Sequence, residues 1–75
     1  MIYQGDNKLI KTEYKKLLLD EDITLTDIAN RLNISKSQLN NIFNKVNLSF
    51  TDIYKMLNAA GYDLEINFKK KITNN

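Results

Sequence analysis

Apolar residues recur with helical spacing in four parts of the chain. In the first part, Ile10, Tyr14 and Leu18 lie at positions i, i+4 and i+8, which places them on one face of a helix. The same criterion predicts helices over about residues 7–21, 25–32, 36–44 and 50–60, and it places Phe50 on the inner face of the last one. The pattern therefore indicates a small, mainly α domain of four helices.

One helix-start signal is repeated before the second, third and fourth helices. Each copy has an apolar residue, a Ser or Thr, an acid or Gln three positions after that hydroxyl, and a second apolar residue. In such a motif the hydroxyl accepts a hydrogen bond from the first turn, and the later side chain returns to the cap's own N–H. The predicted caps are Thr24, Ser35 and Ser49.

The connection between the second and third helices is very short. Only Asn33, Ile34 and Ser35 lie between the two predicted helices. Asn33 stands where the chain needs a left-handed residue, a conformation that Asn tolerates well. Ala29 is small where the third helix would cross the second. This arrangement predicts a helix-turn-helix.

After Gly61 the apolar period changes from helical to two. Leu64, Ile66 and Phe68 alternate with polar residues, which predicts a short strand over about residues 63–69. A flexible tail over residues 70–75 is expected to follow.

The predicted strand has no strong partner within the chain. Its ladder of N–H and C=O groups needs one, because unpaired edges are costly. Two partners remain open, namely the N-terminal residues 1–4 and a second copy of the chain. We expect a homodimer whose interface includes Leu64, Ile66 and Phe68.

Composition narrows the possible functions. A length of 75 residues predicts one domain, and the net charge is only +2. The chain has no Cys and no His, and Asp20, Glu21 and Asp22 would point in different directions on a helix. We therefore expect no metal site and no cofactor. No pair of groups suits general acid–base catalysis, so an enzyme is not expected.

Hydropathy predicts no association with a membrane. No apolar run approaches the ~18–20 residues of a membrane-spanning helix, and no signal-peptide pattern opens the chain. The expected location is the cytoplasm.

The outward face of the third predicted helix is unusual. A solvated helix face is mostly Glu and Lys, whereas this one is rich in Asn, Ser and Gln. Such groups both donate and accept hydrogen bonds, which favours contact with the edges of bases. Composition offers a plainer explanation: Asn, Lys and Ile number 11, 10 and 9, as an AT-rich genome would produce.

The stretch "TLTDIANRLNISKSQLNNIFNK" followed by "LSFTDIYKMLNAAGYDLEI" resembles the Cro and lambda-repressor type (Xre-like) DNA-binding domain. Ile28-Ala29 matches an apolar-Ala pair of the second helix, and Leu39 matches a buried position of the recognition helix. Two positions depart from the family pattern. Asn33 stands where Gly is usual, and Leu25 replaces a Gln that often binds phosphate.

The resemblance implies sequence-specific binding of double-stranded DNA by a dimeric transcriptional repressor of phage, plasmid or antitoxin type. The third helix would lie in the major groove. The expected base-contact set is Lys36, Ser37, Gln38, Asn40 and Asn41. The expected phosphate set is Thr24, Thr26, Asn44, Lys45, Asn47 and Ser49. Arg31 and Lys55 are weaker candidates.

An alternative function remains open. The same fold could serve as a protein-interaction module, an antitoxin or inhibitor that binds a protein partner. The weak net charge and the replacement of the phosphate-binding Gln by Leu25 favour this alternative.

Overall fold

The computed structural model describes residues 1–72, and four α-helices form its fold. The prediction of a small four-helix helix-turn-helix domain is confirmed. The helices are α1 Lys8–Asp20, α2 Leu25–Leu32, α3 Lys36–Phe43 and α4 Phe50–Ala59.

The core lies where α2 packs against α3 and α4. Ile28 of α2 and Leu39 of α3 are both fully buried at its centre. α1 closes the core with Tyr14, whose hydroxyl donates a 2.8 Å hydrogen bond to the carbonyl of Met56 in α4. Burial raises the pKa of Tyr14 to about 12, so the phenol stays neutral and keeps this donor at ordinary pH.

The turn between α2 and α3 has the backbone conformation that its sequence predicts. Asn33 is left-handed, with φ 58° and ψ 43°, and its N–H bonds to the carbonyls of Ala29 and Asn30. The N–H of Ile34 also reaches the carbonyl of Ala29, at 3.0 Å. These bonds satisfy the last carbonyls of α2 and end the helix at Asn33.

The strand predicted over residues 63–69 is not found. The structure assigns no strand within residues 1–72, and residues 63–72, here called the C-terminal arm, are irregular. A β-strand is defined by hydrogen bonds to a neighbouring strand, and residues 1–72 of a single copy provide no neighbouring strand. Of the predicted tail over residues 70–75, the last three lie outside the described residues.

The arm leaves apolar side chains in solvent. Phe68 is 98% exposed and Ile66 is 54% exposed, whereas Leu64 is partly buried. The radius of gyration is 14.1 Å. A compact chain of this length would have about 11 Å. The difference fits an arm that projects from the helical body.

One helix position also differs from expectation. Helical spacing places Phe50 on the inner face of α4, yet it is 69% exposed. The buried residues of α4 are Ile53 and Met56, and Leu48 is buried just before the helix begins. Phe50 is the first residue of α4, and it is absent from the buried cluster that forms the core.

Candidate nucleic-acid interface

α3 separates its apolar and polar residues between two faces. Leu39 and Phe43, one turn apart, are buried in the core, and Ile42 is partly buried beside them. The outward face carries the whole predicted base-contact set, and all five of its members are exposed: Lys36, Ser37, Gln38, Asn40 and Asn41. The structure thus brings these side chains together on one accessible surface.

A complete capping box starts α3. The Ser35 hydroxyl accepts a 3.0 Å hydrogen bond from the backbone N–H of Gln38. In return, the side-chain oxygen Oε1 of Gln38 accepts a 2.9 Å bond from the backbone N–H of Ser35. Two otherwise unpaired N–H groups are satisfied, which fixes where α3 begins.

The start of α2 is built in the same way, with an acid in place of the amide. The Thr24 hydroxyl accepts from the N–H of Asp27 at 3.1 Å, and the Asp27 carboxylate accepts from the N–H of Thr24 at 2.9 Å. Hydrogen bonds from the backbone and side chain of Thr24 lower the pKa of Asp27. The carboxylate is therefore charged at neutral pH.

α4 has only half of the predicted box. The Ser49 hydroxyl accepts from the N–H of Asp52 at 3.1 Å, but the Asp52 carboxylate turns to the ammonium of Lys45, 3.2 Å away. Desolvation opposes ionisation of Asp52, yet hydrogen bonds from Lys45 and Ser49 outweigh it and lower its pKa. One predicted phosphate contact, Lys45, therefore already has an anionic partner.

The predicted phosphate set occupies two places in the fold. Thr24 and Thr26 lie at the start of α2. The other four lie in the connection from α3 to α4 or at the cap that ends it: Asn44, Lys45, Asn47 and Ser49. All six are exposed.

Two residues at the start of α1, its N-cap Asn7 and Lys11, bond to the α3–α4 connection, a role that sequence analysis missed. The ammonium of Lys11 donates a 2.8 Å hydrogen bond to the carbonyl of Lys45. The side-chain amide of Asn7, itself buried, contacts the carbonyl of Val46 at 3.5 Å. The partners are more than 30 residues apart in sequence, so no local pattern could have indicated these bonds.

Arg31, a weaker phosphate candidate, has a structural contact. Its guanidinium donates a 2.9 Å hydrogen bond to the carbonyl of Ala59 at the end of α4. A cation at a helix C-terminus is favourable because unpaired carbonyls give that end a partial negative charge. Lys55, the other weaker candidate, is exposed.

Other classes of site find no support in the part of the chain that the structure describes. Residues 1–72 contain no group of three or more His, Cys, Asp or Glu side chains placed to hold a metal ion. None of their helices combines the length and apolar character needed to cross a membrane.

A helix-turn-helix family model matches residues 15–67, which include all of α2, α3 and α4. The chain belongs to the Cro and lambda-repressor type of helix-turn-helix proteins. The match supports sequence-specific DNA binding and a role in transcription regulation, in a family that is generally not enzymatic. Comparisons with curated proteins and with solved structures give no match.

Proposed function

We propose that this helix-turn-helix protein is a dimeric transcriptional repressor of phage, plasmid or antitoxin type that acts in the bacterial cytoplasm. α3 would lie in the major groove of double-stranded DNA. The observation that carries the proposal is the outward face of α3, which is exposed, rich in amides and free of acidic residues. Major-groove edges are neutral donors and acceptors, and amide side chains match them.

Within this face, Asn41 is the proposed principal base contact. It lies one turn beyond Ser37, so the two side chains can meet neighbouring base pairs. An Asn amide can accept from adenine N6–H while donating to N7. Lys36 and Ser37, at the N-terminal end of α3, have donors for guanine or for either kind of base edge.

The phosphate contacts are proposed to frame this helix. Lys45 supplies a charge directly after α3, and Thr24 and Ser49 supply hydroxyl groups at the starts of α2 and α4. Free N–H groups at those helix starts favour an anion as well. Such contacts fix the position of the protein on the duplex without selecting a sequence.

Dimer formation is proposed to use the C-terminal arm. Ile66 and Phe68 are exposed in the single chain, and the arm has no β-partner in residues 1–72. Pairing with the arm of a second copy would cover these side chains together with Leu64. A two-fold dimer would also present two α3 helices to half-sites about 34–36 Å apart.

The decisive experiment is selection of binding sites from random duplex DNA by the full chain. The proposal predicts an enriched palindrome, since a two-fold dimer binds two equal half-sites. Enrichment of no motif would contradict it. Sedimentation of the full chain and of a truncation after Asp63 tests the dimer. The full chain should be dimeric at micromolar concentration, and a full chain that is monomeric while binding tightly would overturn the arm's role.

A protein partner is the second candidate function, favoured by exposed apolar side chains in the α3–α4 connection and on α4. Val46, Phe50 and Tyr54 are 84%, 69% and 53% exposed. Phe50 and Tyr54 are one turn apart on α4, so they share a face. Co-purification with the product of an adjacent reading frame, lost in Phe50→Ser and insensitive to nuclease, would support this function. Under this second function, selection from random duplex DNA should enrich no motif.

A further inference from the structure

The three capped helices differ in the residue at their third helical position. Asp27 and Asp52 occupy this third helical position in α2 and α4, whereas α3 has the uncharged Gln38. An acid is favourable there because the N-terminus of a helix carries a partial positive charge. α3 alone of the three has no acid in its first turn. It therefore lacks a stabilising charge at the end that would meet DNA.

The capping bond also fixes the orientation of the Gln38 amide. The backbone N–H of Ser35 is a donor only, so the atom 2.9 Å from it must be the oxygen Oε1. The NH₂ group then lies on the other side of the amide carbon, directed away from the cap. Gln38 is exposed, so these two N–H donors are accessible.

From this geometry we infer that Gln38 contacts DNA as a donor only and selects guanine at its base pair. The inference rests on the proposed function. An unrestrained Gln pairs with adenine by accepting from N6–H and donating to N7 at once. That contact needs the oxygen and the NH₂ group to face the base edge side by side, whereas the capping bond keeps the oxygen turned to the Ser35 N–H. The remaining NH₂ group matches the two acceptors of guanine, O6 and N7.

Gln38→Glu is the matched variant, because it keeps the cap and removes the donors. A Glu oxygen accepts from the Ser35 N–H as the Gln oxygen does, and Glu is common at this position of a capping box. The melting temperature should stay equal or rise. In site selection, one position of each half-site should change from guanine to cytosine, whose N4–H₂ is a donor. Flanking positions should not change.

Asn47→Asp controls for the added negative charge. It places the same charge in the α3–α4 connection, outside the capping box, and should weaken binding to all sequences without changing the motif. Gln38→Ala controls for the cap, since it removes both the capping oxygen and the donors. It should lower the melting temperature and make the guanine position less selective.

A second measurement works even where Gln38→Glu binds too weakly for selection. Replacing the proposed guanine by 7-deazaguanine removes the N7 acceptor. A contact of this kind is worth a factor of roughly 5 to 150 in discrimination, so wild-type affinity should fall by several-fold. Gln38→Ala should be insensitive to the same replacement.

Two results would overturn the inference while leaving the proposed function intact. One is a wild-type motif with adenine at the position that Gln38→Glu alters. The other is an identical motif for wild type and Gln38→Glu. A wild-type protein that enriches no motif overturns the proposed function, and the inference with it.

Discussion

α2 and α3 are two helices of equal length that begin in the same way and present different outer surfaces. Each has eight residues and a complete capping box, and three residues join them. α2 buries Ile28 and Ala29, and its Arg31 is bonded to the end of α4. α3 leaves in solvent a polar face that carries amides, a hydroxyl and one lysine but no acidic residue. The caps therefore determine where both helices start, while the outward residues determine which one is suited to contact a ligand.

The largest expected effect comes from changing the buried side of α2. Ala29→Leu adds atoms at a residue that is 2% exposed, and overpacking of this kind costs ~1–3 kcal/mol. Thermal unfolding measures the loss. Asn30→Leu places the same side chain at the exposed neighbouring position and should change stability by less than about 0.5 kcal/mol. Equal melting temperatures for Ala29→Leu and wild type would mean that α2 has room at this crossing.

Changing the outward side of α3 should affect selectivity instead of stability. Asn41→Ala should cost ~1–3 kcal/mol of discrimination at one base pair, with little change in melting temperature. Asn58→Ala, at an exposed position of α4, should alter neither property. Should the selected motif of Asn41→Ala match that of wild type, Asn41 does not contact a base.

Removing the capping hydroxyl should lower the stability of the domain by the same amount in α2 and in α3. Thr24→Ala and Ser35→Ala each remove a hydroxyl that accepts from the first turn, and each should cost about 1 kcal/mol of stability. Thr26→Ala, two positions into α2 and outside the box, should cost less than about 0.5 kcal/mol. Unequal losses of stability in Thr24→Ala and Ser35→Ala would show that the two capping boxes do not contribute equally.

The smallest effects should come from the pair that joins the α3–α4 connection to α4. Lys45→Ala should weaken binding evenly across sequences and lower the salt slope by about one per monomer, because phosphates carry no sequence information. Asp52→Asn should have the opposite effect on affinity, since it frees Lys45 from its ion pair. A sequence-selective loss in Lys45→Ala would instead assign Lys45 to the base contacts.

Sequence alone predicted the parts of the fold that depend on neighbouring residues. The cap bonds span three positions, and the left-handed Asn33 closes the turn through Ala29 and Asn30, so both were visible in a short window. The order of those signals also identified the family.

Features that depend on distant residues could not be predicted in this way. Lys11 and Asn7 bond to carbonyls more than 30 positions away. Phe50 has the helical spacing of the buried residues of α4. Whether a residue in the first turn of a helix is buried depends on which other element lies opposite it. The alternation at Leu64, Ile66 and Phe68 can be read from the sequence. A β-strand also needs a second segment to pair with, and within residues 1–72 no segment pairs with this one.

The ion pair between Lys45 and Asp52 has a kinetic consequence for a protein that must find one site among many. Attraction between lysines and phosphates supplies most of the affinity for random DNA. In the proposed DNA complex, a carboxylate 3.2 Å from Lys45 would compete with every phosphate equally, so it would shorten each stay at a wrong site. Specific base contacts would not be subject to this competition. The pair would thus trade some total affinity for faster release from non-target DNA, which would leave more protein free to search.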